Sequence, residues 1–225
     1  MVACICRTPC PMDHLTKAKE TLQYCLYRNR TIIKVTALSF FLIIFISMIM
    51  TVTFFSVAPG LSDWFWSMAE SERRYVAIPP AFTEDLYFFI FLNNVGHFWN
   101  PVKILVWIPL LGTFILGLEL LLNGVIIGVV AVTAGITYGA LYPILGLTPH
   151  GIVEIPAFIL QFSSIIRWHI TATEAVMKRA IGEEVDVAKL RRDVKDTVIL
   201  AVVSLVLLMI AALIETYITP YLLGM

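Results

Sequence analysis

Long runs of apolar residues are the feature that most restricts how this chain can fold. Residues 32–57 (IIKVTALSFFLIIFISMIMTVTFFSV) form one such run, in which Lys34 is the only charged residue. A helix needs ~20 apolar residues to cross the hydrocarbon core of a bilayer. Only 14% of the residues are charged, whereas soluble domains have about 25%. The chain is therefore predicted to be an all-α, polytopic transmembrane helix bundle.

Further stretches are long and apolar enough to cross, and these predicted spans are 104–122, 124–142, 151–168 and 198–219. Residues 86–99 (LYFFIFLNNVGHFW) are apolar but short, and Pro101 stops a helix soon after them. We therefore predict five crossings plus a short half-helix. If residues 86–99 cross completely, the alternative is six crossings.

The positions of the basic residues predict the orientation. Residues 1–31 contain five lysines or arginines and residues 165–197 contain seven, whereas residues 58–85 contain two. Cytoplasmic loops carry the excess of such residues. With five crossings, both basic segments lie on the cytoplasmic side. We expect a multi-pass protein of the cell membrane with a cytosolic N-terminal segment, 1–31.

Residues 32–222 are predicted to form a single transmembrane domain. Within it, residues 171–197 are expected to be an amphipathic connection, because Val187, Leu190 and Val194 recur at helical spacing. The sixteen basic and sixteen acidic residues cancel, so no nucleic-acid partner is expected. The expected partners are the lipid bilayer and other membrane proteins, or a second copy of the chain.

The four cysteines all precede the first predicted span, at Cys4, Cys6, Cys10 and Cys25. With His14 they offer zinc ligands, but the spacing matches no common zinc-binding motif. Reduced thiols in the cytosol are the simpler interpretation, with lipid modification left open. We expect no cofactor.

Several polar residues lie in or beside the predicted spans, where a charged group costs ~2.5–3.5 kcal/mol at the centre of a helix. The candidates for an intramembrane polar site are Asn93, Asn94, Glu119, Asn123, His150 and Glu154. Two pairs have the i, i+4 spacing that places both residues on one helix face, namely Glu119 with Asn123 and His150 with Glu154. Polar contacts that only join helices are the alternative to a functional site.

The expected placement of these groups follows from the chain order. Pro149 suits the first turn of a helix, so His150 and Glu154 are predicted to lie at the end of a span. They should face Asn93 and Asn94 rather than lipid. Glu119 and Asn123 should lie toward the other side of the membrane, and Glu215 should reach the interface.

Small residues at intervals of three and four form a stripe on one face of the predicted span 124–142. Its members are Gly124, Gly128, Ala131, Gly135 and Gly139. Such a stripe allows helices to approach closely. We expect it to lie in the core of the bundle, with a dimer contact as the alternative.

Three sequence elements together resemble the stage II sporulation protein M family of integral membrane proteins. They are Asn93-Asn94, Asn123-Gly124 and the run PHGIVEIPA from Pro149 to Ala157. The resemblance extends over about residues 30–222. It implies a polytopic, all-helical protein without an established catalytic activity. The named member of that family works in a membrane complex with cell-wall hydrolases.

Three functions remain open at this point. The leading one is a non-enzymatic scaffold or permease-like subunit of a membrane complex. The second is transport of a proton or small ion through the intramembrane acids, since such residues mark ion pathways. The third is an intramembrane metalloenzyme with His97, His150 and Glu154 as ligands, although the HExxH pattern with its built-in base is absent.

Overall fold

The computed structural model describes residues 11–58, 60, 64, 67 and 78–224, with side chains from Thr16 onward. The described residues form helices and turns and contain no strand. The predicted all-helical fold class is therefore confirmed. The predictions for Cys4, Cys6 and Cys10 fall outside the described residues.

The first helix, α1, extends from Pro11 to Val57 and has 47 residues. Neither proline nor glycine occurs in residues 16–57, so nothing there interrupts the backbone hydrogen bonds. The helix therefore continues without a break from the polar N-terminal segment into the apolar run. The boundary predicted near residue 31 is a change of composition, not of secondary structure.

A broken segment follows, which we call the return segment (residues 84–110). It begins with α2 (Glu84–Asn94) and continues through two 3₁₀ turns, Gly96–Phe98 and Lys103–Trp107. Thr83 caps α2, its hydroxyl accepting a hydrogen bond from the amide of Leu86 at 3.2 Å. The half-helix predicted over residues 86–99 corresponds to α2. The prolines at 101 and 109, without amide donors, favour the irregular backbone after it.

One long helix, α3 (Leu111–Tyr138), replaces two of the predicted spans. Residues 104–122 and 124–142 were each apolar enough to cross, but the chain between them, at Asn123 and Gly124, stays helical. The dipeptide Asn123-Gly124 is common in turns, but here it continues the helix. The predicted boundary between these two spans is wrong.

Two further helices form a hairpin. The first, α4 (Leu141–Ala180), follows α3 after a two-residue turn in which Gly139 has a φ of +89°. The second, α5 (Val187–Leu213), begins at its N-cap Asp186 and continues into a π-helical turn, Ile214–Ile218. A short last helix, α6, covers Thr219–Leu222. The predicted amphipathic connection 171–197 is thus the end of α4, six linking residues and the start of α5.

Four helices in the described part of the chain are long and apolar enough to cross a membrane: α1, α3, α4 and α5 with its extension to Leu222. The predicted count of five crossings is therefore not confirmed. The difference comes from α3, which covers two predicted spans. The return segment was not among the five predicted crossings, and its helix of 11 residues is too short to cross alone.

The packing of α1 on α3 shows why a return segment is needed. A Cβ atom on Gly124 would lie 2.7 Å from Cγ2 of Ile43, and one on Gly128 would lie 2.8 Å from the carbonyl oxygen of Ile44. Residue numbers therefore increase in the same direction along both helices, so α1 and α3 are parallel. The chain must run back between them from one end of the bundle to the other.

Contacts at both ends show the length of this return. At one end the amide of Phe82 donates to the carbonyl of Thr216 at 3.3 Å. At the other end the carbonyl of Val106 contacts Nε2 of His169 at 2.7 Å. His150, whose Nδ1 lies 3.2 Å from the hydroxyl of Thr219, and His169 are about 28 Å apart along α4. The return segment therefore extends almost the thickness of a hydrocarbon core.

Candidate intramembrane polar site

The run PHGIVEIPA lies inside α4 and not at its start. Pro149 and Pro156 are both internal to the helix, so the prediction that Pro149 begins a helix is wrong. The helix begins eight residues earlier, at Leu141. Without amides, the two prolines leave the carbonyls of Leu145 and Ile152 without their usual helical partners, and Ile152 lies between His150 and Glu154. This stretch of α4 is therefore more polar than a regular apolar helix.

Four side chains meet here, and we call His150, Glu154, Glu215 and Asn94 the carboxylate site. The amide nitrogen of Asn94 donates to Oε1 of Glu154 at 2.7 Å. Nε2 of His150 lies 3.8 Å from Oε2 of Glu154. One ligand atom from each of His150, Glu154 and Glu215 lies within 4.8 Å of the others. The site thus joins α4, the π-helical turn and the end of α2.

The predicted contact of Glu154 with the paired asparagines is confirmed for Asn94 and wrong for Asn93. The side chain of Asn93 is exposed, and its carbonyl oxygen lies 3.4 Å from Nζ of Lys103. Adjacent residues of a helix point about 100° apart, so both asparagines cannot face one partner. His150 is buried and Glu154 is partly buried, as expected for groups that avoid lipid.

Glu215 is a site residue that the sequence reasoning placed at the interface instead. The π-helical turn Ile214–Ile218 carries it, and such turns are frequent at functional sites. A signal was present in the sequence, because Glu215 is the only charged residue between Thr197 and Met225. An isolated acid in an apolar stretch is a site candidate by default.

A second polar pair lies farther along the return segment, where His97 contacts Glu119 through Nε2 and Oε2. His97 is buried, and its ring packs edge-on against Phe162 with 6.0 Å between centroids. The prediction that Glu119 lies on the opposite side from the region of His97 is therefore wrong. Since His97 pairs with Glu119, the third potential metal ligand beside His150 and Glu154 is Glu215.

Asn123 lies on the same face of α3 as Glu119, as the spacing predicted. Its amide nitrogen donates to the carbonyl of Glu119 at 2.9 Å. This hydrogen bond stays within one helix and leaves the Glu119 carboxylate to His97. Asn123 therefore does not join the contact between α3 and the return segment.

A third cluster, which the sequence reasoning missed, lies at the end of the bundle near the start of the apolar part of α1. We call Arg28, Asn29, Arg167 and Asp196 the arginine cluster. Nε of Arg28 donates to Oδ2 of Asp196 at 2.9 Å, and its Nη2 pairs with Oδ1. Asn29 donates to Asp196 at 3.1 Å and accepts from Nε of Arg167 at 2.6 Å. Asp196 and Asn29 are completely buried.

Only part of the predicted small-residue stripe packs against another helix. Gly124 and Gly128 are buried against α1, where a side chain would meet Ile43 or the backbone of Ile44. Gly135 is partly buried and Gly139 is exposed in the turn after α3. Ala131 is also partly buried. Gly112, which the sequence reasoning did not single out, faces the carbonyl of Val106 more closely still.

Polar groups continue between the carboxylate site and the arginine cluster. Gln161 is completely buried, and neither its Nε2 nor its Oε1 has a hydrogen-bond partner among the described residues. Ser163 and Ser164 follow it on α4, and Ser204 is buried on α5. Buried polar groups normally have partners, so the unpaired Gln161 is an exception among the buried residues of α4.

The comparisons with known proteins give one match. The family model described as "Stage II sporulation protein M" matches residues 36–220. No curated protein and no solved structure matches the chain. The matched region includes the carboxylate site, the pair His97–Glu119, Arg167 and Asp196.

Proposed function

We propose that this chain, which belongs to the stage II sporulation protein M family, is a non-enzymatic, permease-like subunit of a membrane complex that takes a proton or another small cation into its carboxylate site. Family membership and the apolar helices make it a membrane protein. The proposal concerns what the embedded polar groups do.

The observation that carries the proposal is the meeting of His150, Glu154 and Glu215. Two carboxylates with one imidazole in an apolar surrounding cannot both be ionised without a cation beside them. Among the described residues no lysine or arginine pairs with either carboxylate. A proton shared by the two acids or a cation bound between them would balance the charge.

The broken return segment supports the same proposal. In transporters, ion sites form where a crossing helix is discontinuous, because the irregular backbone exposes polar groups to a cavity. Asn94, the last residue of α2, touches the site at such a break. The pair His97–Glu119 follows on the same segment, and the unpaired Gln161 lies two helical turns beyond Glu154. These groups are the steps of a polar route that we propose.

The orientation is also part of the proposal. Arg28 of α1 pairs with Asp196 of α5, and Asn29 pairs with Arg167 of α4. The described part of the first basic segment, near Arg28, and the basic segment 165–197 therefore lie at one end of the bundle. The preference of basic residues for the cytoplasm supports a cytoplasmic N-terminus. We propose that the return segment provides one further traverse, so that the chain ends on the opposite side.

A purely structural function as a scaffold is the second candidate. Two apolar grooves beside α1 favour it, with volumes of about 570 and 690 Å³. One is lined by residues such as Ile43 and Val125, the other by residues such as Ile33 and Ile152. Purification from native membranes in a mild detergent tests it. Consistent recovery of the chain alone, without a partner or a second copy, contradicts a scaffold.

Flux into proteoliposomes tests the transport proposal. The purified chain is reconstituted with a pH-sensitive dye inside the vesicles, and proton entry is measured from about pH 5 to 8, the range in which histidine charge changes. We expect Glu154→Gln and Glu215→Gln to abolish the flux. Glu183→Gln, in the exposed link between α4 and α5, is the matched control and should conduct like the wild type. If Glu154→Gln and the wild type leak equally throughout, transport through this site is excluded.

A further inference from the structure

A groove with basic walls lies between α1 and α5, on the outer side of the arginine cluster. Its volume is about 790 Å³. Four basic residues line it, Arg28, Arg191, Arg192 and Lys195, together with Tyr24. The guanidinium of Arg28 lies 4.5 Å from the centre of the Tyr24 ring, which holds this wall of the groove in place.

Two of the four basic groups remain without a counter-charge. Arg28 pairs with Asp196, and Nε of Arg192 lies 3.9 Å from Asp193. Arg191 and Lys195 are exposed, and neither makes an ion pair within the described part of the chain. They are four residues apart on one face of α5, a spacing at which like charges repel. The groove therefore favours an anion between them.

The position of the groove along α1 and α5 indicates which kind of anion would fit it. Beyond Lys34 the rest of α1 contains no charged residue, and beyond Asp196 α5 contains none. The groove thus lies where both helices change from polar to apolar. Val35 lies seven residues after Arg28, and Val202 lies seven residues after Lys195, so each is on the helix face that lines the groove. Their side chains are 59% and 51% exposed. An anion in this groove would carry its apolar part along these exposed surfaces.

We propose that the groove binds the phosphate headgroup of an anionic phospholipid, with Arg191 and Lys195 contacting the phosphate and the acyl chains lying along Val35 and Val202. Basic pockets between membrane helices bind such headgroups. The arginine cluster supports the site from behind, because Asp196 holds Arg28 at the wall of the groove. This inference does not depend on cation transport by the carboxylate site.

Lipid retention tests the proposal. The full chain is reconstituted in nanodiscs of equal parts phosphatidylglycerol and phosphatidylcholine, released in the mass spectrometer, and the retained lipids are counted. The double variant Arg191→Gln/Lys195→Gln removes the two unpaired charges. The control, Lys19→Gln/Arg179→Gln, removes two exposed charges at the same end of the bundle that do not line the groove. Unchanged melting temperatures show that both variants are folded.

We expect the wild type and the control to retain phosphatidylglycerol in preference to phosphatidylcholine. The groove variant should retain about tenfold less phosphatidylglycerol than the wild type, or less. Equal retention by the two double variants overturns the proposal, and so does equal retention of the two lipids by the wild type. A second arm adds inorganic phosphate at millimolar concentration. Displacement of the lipid by phosphate would mean that the groove selects a free anion, which also overturns the assignment to a phospholipid.

Discussion

The carboxylate site and the arginine cluster are built alike but differ in charge. Each joins α4 and the helix that follows it with a third element, which is α2 in one case and α1 in the other. In the arginine cluster Asp196 accepts hydrogen bonds from Arg28 and Asn29, and Asn29 accepts one from Arg167. In the carboxylate site two acids meet one imidazole. The carboxylate of the first cluster therefore has a guanidinium partner, whereas neither acid of the second pairs with a lysine or arginine among the described residues.

This difference predicts that the two clusters contribute differently to stability. Removing one partner of a buried, hydrogen-bonded charge network leaves the other charges unpaired and is strongly destabilising. Removing an acid from a site with surplus negative charge relieves repulsion instead. Loss of Asp196 should therefore destabilise the fold strongly, whereas loss of one acid from the carboxylate site should cost less.

The largest effect is expected for Asp196→Ala, which leaves Arg28 without its ion-pair partner and Asn29 without an acceptor. We expect a loss of about 3–5 kcal/mol in the free energy of unfolding, measured by denaturant unfolding in detergent micelles. Asp186→Ala, at an exposed cap of the same helix, is the control and should lose far less. A loss below about 1 kcal/mol would show that the ion pair between Arg28 and Asp196 contributes no more than an exposed one.

The hydrogen bond from Asn94 to Glu154 allows a sharper test within the carboxylate site. Glu154→Ala leaves the partly buried amide of Asn94 unpaired and should cost about 1–3 kcal/mol. Combined with Asn94→Ala the losses should be non-additive by about 0.5–3 kcal/mol. Asn93→Ala, whose side chain points away from Glu154, should be additive with it. Additivity in both double variants would show that the 2.7 Å hydrogen bond between Asn94 and Glu154 contributes nothing measurable to stability.

Glu215→Gln tests the acid that the π-helical turn contributes to the carboxylate site, and its effect on stability should be small. It removes one of two neighbouring acids while keeping the shape of the side chain. We expect a change in unfolding free energy within about 1 kcal/mol, of either sign, in the same assay. A loss as large as that of Asp196→Ala would remove the distinction between the two clusters.

The smallest effect is expected at Asp186, an exposed acid that belongs to no buried cluster of charges. The hydrogen bond from the amide of Lys189, at 3.0 Å, lowers the pKa of this carboxyl. Because the folded pKa lies below the unfolded one, its contribution to stability is present above the unfolded pKa and disappears as the pH falls through the folded pKa. The melting temperatures of the wild type and Asp186→Ala should differ slightly near neutral pH and converge in acid. A gap that widens in acid would contradict this sign.

The sequence predicted the parts of the fold that depend on local composition. Apolar length identified α1, α4 and α5, and i, i+4 spacing placed His150 and Glu154 on one face. It could not separate one helix of 28 residues from two shorter spans, because apolar residues predict both equally well. What decides is the partner, α1, whose close approach at Gly124 and Gly128 requires an unbroken helix.

The polar clusters were also only partly predictable from the sequence, because local composition identifies some of their members and not others. Glu154 and Asn94 were identified because both are polar in an apolar stretch. Arg28 and Asp196 lie 168 residues apart in segments rich in charge, where nothing distinguishes a buried acid from a solvated one. The contact of His97 with Glu119 depends on the parallel arrangement of α1 and α3, which brings the return segment alongside α3. No local pattern records that arrangement.

The parallel arrangement of α1 and α3 also has a consequence for biogenesis. The return segment emerges from the ribosome before α3, and its only regular helix has 11 residues, about 16 Å. The translocon inserts segments by apolar length, so this one has little tendency to enter the bilayer alone. Its polar partners Glu119 and Glu154 are synthesised later. We therefore expect the return segment to take its final place only after α4 has been made, and not directly after α1.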